Sequence, residues 1–172
     1  PALGEGEDSW PERVKKRMME AYGDSVFTFT TLIFDTNSSE FVEESHIDDL
    51  AETGADLILL EPFTLKDNGV VEIEKSAENI EAIIAAVKEE NEDTVVLLQP
   101  PHPISSSSWY PVQVEELGKF ANANGYTFLN HWEAWPEDTT GYLTESNDGP
   151  NEKGHEIWAK YLLEFFINKT ER

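Results

Sequence analysis

Asp148-Gly149-Pro150-Asn151-Glu152-Lys153-Gly154-His155-Glu156-Ile157-Trp158 joins a polar loop to a helix, and its reading decides the fold. Ile157, Trp158, Tyr161, Leu162, Phe165 and Phe166 continue it at helical spacing, so one face of the helix is buried and holds the loop in place. Loops delivered in this way often carry function.

Upstream, helical and strand patterns alternate. Ser9-Trp10-Pro11-Glu12 predicts a helix start, with Val14, Met18 and Tyr22 on one face and Gly23 at its end. Val26 to Phe34, rich in Thr, Phe and Ile, predicts a strand that runs into the turn Asp35-Thr36-Asn37-Ser38-Ser39. A helical segment through Val42 and His46 to Leu50 follows. Asp56 to Leu60 and Thr94 to Leu98 are short apolar runs typical of strands buried on both faces. Between them, Ile73, Ala77, Ile80, Ile84 and Val87 mark a helix. The serine run Ser105 to Ser108 leads to a helix from about Pro111 to Asn124, closed by Gly125, and Tyr126 to Leu129 is the last strand. Such alternation predicts a single domain, residues 1–172, built as an α/β three-layer αβα sandwich with a parallel, flavodoxin-like sheet.

Composition narrows the partners. There are 172 residues and a net charge of -23, from 35 acidic and 12 basic side chains. That balance argues against nucleic acid and anionic membrane surfaces. Cysteine is absent, which excludes disulfides and thiolate chemistry. No run is long and apolar enough for a membrane span. Pro1 suggests a trimmed chain, and a targeting segment ahead of it would suit an extracellular or cell-envelope location.

In a parallel α/β sheet, ligands bind beyond the carboxyl ends of the strands. Asp35, Asn37, Ser38, Glu61, Asn68, His102, His131, Glu133 and Asp148 all fall in loops after strands. Ser38 is a candidate nucleophile or a turn serine. His131, beside Trp132 and Glu133, is a candidate base with Glu133 or Asp148 to orient it, or a hydrogen-bonded rim histidine. His102 sits between prolines that aim it or merely space it. No His or carboxylate pair has a metal-ligand spacing, so neither a metal nor another cofactor is expected. Trp109, Tyr110, Trp132 and Trp135 suit stacking on sugar faces or simple loop anchoring.

Pro150-Asn151-Glu152-Lys153-Gly154-His155 resembles the terminal block of the SGNH (GDSL) hydrolases, Asp-x-x-His-Pro-Asn-x-x-Gly-His, which supplies the family's catalytic Asp and His. The resemblance extends to the Ser-Trp-Pro helix, Ala55-Asp-Leu-Ile-Leu-Leu60 and the Pro-rich loop at Gln99 to Pro103. It implies an ester hydrolase or acyl transferase acting on acylated carbohydrate or small esters, with a Ser nucleophile and an oxyanion hole of Gly and Asn. Carried over, Asn68 is the nearest counterpart of the oxyanion Asn, and Asn37, His102 and Trp132 join it as substrate-binding candidates. His131, Asp148 and Ser38 are the catalytic candidates.

Three departures stand out. Gly149 and Ser146 occupy the positions of the family's His and Asp, and His155 matches a second, non-catalytic His. Gly23-Asp24-Ser25 follows a helix and precedes a strand, so it reads as a helix end on the opposite rim. The family's nucleophile strand is expected upstream of Pro1, leaving its neighbours in need of a partner, and a strand from another chain is one such filler. A non-catalytic SGNH-like module that binds a glycan or a protein is the alternative function.

Overall fold

The computed structural model describes residues 8–104 and 109–167, so the serine run at 105–108 lies outside the described residues. The chain divides into two compact units. One comprises Pro1–Ile33, His102–Ser105 and His131–Arg172, and the other Phe34–Pro101 and Ser106–Asn130.

The second unit carries the sheet. Helices α2 (Ser38–Glu43) and α3 (His46–Ala51) lead into β1 (Leu57–Leu60). Then come α4 (Thr64–Asp67), α5 (Ile73–Glu90), β2 (Val95–Leu98), α6 (Tyr110–Asn124) and β3 (Thr127–Phe128). The three strands are parallel in the order β1-β2-β3, with Leu60 opposite Leu98 and Leu98 opposite Phe128. Parallel strands need crossovers, and α5 and α6 provide them. Ile80, Ile83, Ile84 and Val87 of α5 and Leu117 and Ala121 of α6 pack with Phe41, Leu60, Val96 and Leu98 in one apolar core. The predicted single helix from Val42 to Leu50 is instead two, because Ser45 takes a left-handed conformation, φ 62°, between them.

In the first unit α1 (Trp10–Tyr22) packs along α7 (Glu152–Phe166). Ser9 holds the N-cap position, but its hydroxyl makes no capping bond. Gly23, at φ 105°, ends α1 and donates its N–H to the Met19 carbonyl, so Gly23-Asp24-Ser25 is a helix end.

The strand predicted from Val26 to Phe34 does not form. Those residues make no ladder with any described strand, and from Phe27 to Ile33 their backbone groups make no hydrogen bond among the described residues. Strand propensity measures the fit to a pleated, half-buried surface, and without a neighbouring strand it has nothing to act on.

Candidate functional site

Turn chemistry at Asn37 builds the first part of the rim in the sheet-bearing unit. Asn37 Oδ1 accepts the Glu40 N–H at 3.0 Å and Glu40 Oε2 accepts the Asn37 N–H at 3.3 Å, a reciprocal cap that starts α2. Ser38 is therefore the first residue of a helix and wholly buried. Its N–H donates to Asp67 Oδ1 at 2.7 Å, and its Oγ accepts the Asn79 amide at 2.9 Å. The second Asp67 oxygen accepts the Ser76 hydroxyl, and Asn79 also donates to Ser39 Oγ. Among the described residues no imidazole bonds Ser38, and the candidate nucleophile is part of a buried bracket that ties α2, α4 and α5 together.

Asn68 follows Asp67, and its amide donates to Gln113 Oε1 at 2.9 Å. That bond draws the expected oxyanion donor onto α6. Lys66 forms an ion pair with Asp35, which holds the Asp35 carboxyl below the usual range.

Glu61 follows β1 directly. It is half-buried as a residue, and desolvation of its carboxyl pushes the pKa up to about 8. Tyr110, fully buried, is pushed well above 10, first by burial and then by the Glu61 charge. A carboxyl that holds its proton more tightly when folded stabilises the protein fully below about pH 4.5, and that contribution is lost as pH rises to about 8. Glu61→Gln is expected to remove this loss. Urea midpoints of wild type should fall more than those of the variant between pH 5 and pH 9, and parallel profiles would refute the assignment.

The first unit gathers the histidines. His131 is wholly buried, and its Nδ1 accepts the Trp135 indole N–H at 3.0 Å. Its ring stacks on Trp158 at 4.0 Å and 13°, and Trp158 stacks on Trp10 at 4.8 Å and 15°. An Nδ1 that accepts carries no proton of its own, so in the neutral ring the proton sits on Nε2. Trp132, next in the short 3-10 helix His131–Ala134, is half-buried.

Asp148 is exposed and accepts the Thr144 hydroxyl at 2.6 Å, which with Ser146 keeps its pKa low. His102 is fully buried, and burial lowers its pKa to about 4 against the opposing pull of Asp148, while His155 pushes it lower. Thus His102 and Asp148, two of the expected site residues, do feel each other's charge.

Asn151 was not among the candidates, yet it organises the terminal loop. Its Oδ1 accepts the Lys153 and Gly154 N–H groups, while its Nδ2 donates to the Gly141 and Leu143 carbonyls. An Asn immediately before a helical pattern was the signal that could have found it. His155 Nδ1 accepts the Trp10 N–H at 3.2 Å, satisfying a donor at the start of α1. A Cβ at Gly154 would collide with the Tyr142 carbonyl oxygen and come within 2.8 Å of Pro150 Cβ and 2.9 Å of Trp135. Gly154→Ala is expected to cost about 1–3 kcal/mol or more in urea unfolding, since backbone cannot step aside as a side chain can. A neutral result would show that the loop yields.

Neither a protein-family model nor a curated protein sequence matches the chain. Solved structures do. An esterase, EstA, from Pseudoalteromonas sp., inhibited by monoethylphosphonate, superposes with a TM-score of 0.71 at 13% identity, over 99% of this chain and 97% of its own. A lipase from a goat-rumen metagenome gives 0.67 at 15% identity, over 94% and 89%. A protein of the G-D-S-L lipolytic family from Desulfitobacterium hafniense DCB-2 gives 0.64 at 17%, over 91% and 87%. The fold is that of the SGNH (GDSL) hydrolases. In the terminal loop, Pro150, Asn151, Gly154 and His155, the residues that carry the resemblance, are those that cap, clamp and pack. Among the described residues no helix is long and apolar enough to cross a membrane, and no three His, Asp or Glu side chains gather as metal ligands do.

Proposed function

We propose that the protein is an SGNH-type ester hydrolase or acyl transferase acting on small esters or acylated carbohydrate. The observation that supports it is the near-full-length likeness to an esterase and a lipase. Within the first unit, His102 is the histidine that feels the charge of Asp148. Burial keeps it neutral, and Asp148 opposes that only in part, so its place in the proposal is to bind substrate as a neutral imidazole. Trp132, half-buried, is the aromatic side chain that this reading assigns to the sugar. An extracellular or cell-envelope setting belongs to the same proposal.

The test pairs p-nitrophenyl acetate turnover with intact mass after a fluorophosphonate probe, followed by peptide mapping, on protein expressed from its full-length gene. Turnover with one phosphonylated serine is the expected outcome. Ser38 should stay unlabelled, because its Oγ is enclosed and held by Asn79. Labelling at Ser38 would overturn that assignment.

A second reading, a non-catalytic module that binds a glycan or a protein, is favoured by one set of observations. Ser38 Oγ is engaged by Asn79, His131 Nδ1 by Trp135 and Asp148 by Thr144, so three expected catalytic groups already serve the scaffold. Absence of turnover and of labelling, together with retained glycan binding, would decide for it.

A further inference from the structure

Two Asn-Gly pairs stand in the chain, Asn68-Gly69 and Asn124-Gly125. In such a pair the second residue has no side chain to shield the asparagine amide carbon from the main-chain nitrogen that follows it. By sequence the two pairs are alike, and the fold separates them. Asp67-Asn68-Gly69-Val70 is a type II turn: Asn68 has φ -56° and ψ 112°, Gly69 has φ 76°, and the Val70 N–H donates to the Asp67 carbonyl at 2.8 Å. Gly69 is exposed, and among the described residues its N–H makes no hydrogen bond. Asn124 instead ends α6, where the Gly125 N–H donates to the Ala121 and Asn122 carbonyls and Asn124 Nδ2 donates to the Phe120 carbonyl at 2.9 Å. A main-chain nitrogen attacks only after losing its proton, and an exposed N–H without an acceptor yields that proton to hydroxide more readily than one held in a helix cap.

We propose that Asn68 is a self-modification site, at which the chain converts its own asparagine to aspartate and isoaspartate. Hydroxide takes the Gly69 proton, the Gly69 nitrogen bonds to Asn68 Cγ, and the Cγ–Nδ2 bond breaks, so that Nδ2 leaves as ammonia with a proton from water. One water then opens the cyclic imide at either carbonyl. Ring closure brings Cγ onto the Gly69 nitrogen, so the turn must open and the carboxamide must leave Gln113 Oε1, which it holds at 2.9 Å. Gln113 is thus the brake. The product places a carboxylate where the rim of the sheet-bearing unit had an amide donor. Gln113 Nε2 makes no hydrogen bond among the described residues, and a half-turn of its amide offers the new carboxylate a charge-assisted bond. Isoaspartate also adds a methylene to the main chain within the turn, displacing the Val70 and Val71 N–H groups that share the Asp67 carbonyl.

The test is peptide mapping by mass spectrometry, on protein expressed from its full-length gene and aged at mildly alkaline pH. The Asn68 peptide is expected to gain one mass unit about fivefold or more faster than the Asn124 peptide, since the second site must first give up its cap bonds. Both rates should climb with hydroxide. In strong urea, where turn and cap are gone, the two peptides should convert alike. Gln113→Ala, which frees the carboxamide, should quicken conversion at Asn68 and leave Asn124 unchanged. Conversion at Asn124 as fast as at Asn68 in the folded protein, a difference that persists in urea, or no response to Gln113→Ala would overturn the proposal. Quickening of both sites by Gln113→Ala would overturn it too, because global unfolding and not the turn would then set the pace.

Discussion

Trp158→Ala should be the most damaging single truncation in the α1–α7 unit, costing about 3–5 kcal/mol in urea unfolding followed by far-ultraviolet circular dichroism. The indole is wholly buried and lies against both Trp10 and His131 in near-parallel stacks. Truncation leaves a void bordered by two large rings, and aromatic pairs add to the cost of lost area. His131 would also lose the ring that fixes its plane while still accepting from Trp135. A loss below about 1 kcal/mol would mean that Trp10 and His131 close the gap, and the stack would not be the keystone assumed here.

Asp67→Ala should do comparable harm in the sheet-bearing unit, about 3–5 kcal/mol. Its carboxylate is fully enclosed and accepts from the Ser38 N–H and the Ser76 hydroxyl. Removing it strands two buried donors, each costing about 1–3 kcal/mol when left unsatisfied, besides the loss of charge-assisted bonds. The pair that tests the mechanism is Asp67→Ala in the Ser76→Ala background. If the two side chains act as one bracket, the double variant loses clearly less than the sum of the single losses, and strict additivity would refute the bracket.

The parallel strands β1 and β2 were legible because buried apolar runs such as Leu57–Leu60 and Val95–Leu98 have few other uses. The helices were legible from their period, and α5 and α6 begin and end close to where that period places them. Asp67 was not legible as a core residue. An acid before Asn-Gly reads as a turn, and what makes its burial tolerable is a backbone N–H 29 positions upstream and a hydroxyl nine positions downstream. Likewise nothing in the sequence aligns His131 with Trp158, which only the fold brings to 4.0 Å. The terminal block was recognisable for the same physical reason that it is uninformative about chemistry. Gly154 and Asn151 answer to packing and capping, which constrain residue identity as tightly as a reaction does. Val26 to Phe34 shows the opposite case, a correct local preference whose outcome rests on a neighbour.

The placement of the indoles gives the molecule a built-in optical division of labour. Trp10, Trp132, Trp135 and Trp158 all belong to the unit of α1 and α7, whereas the sheet-bearing unit holds only Trp109, 75% exposed. Intrinsic fluorescence will therefore follow the melting of one unit almost alone, while ellipticity, with long helices in both units, follows both. If the two signals part company along a denaturant series, the units unfold in separate steps. If they coincide, the chain behaves as one cooperative body.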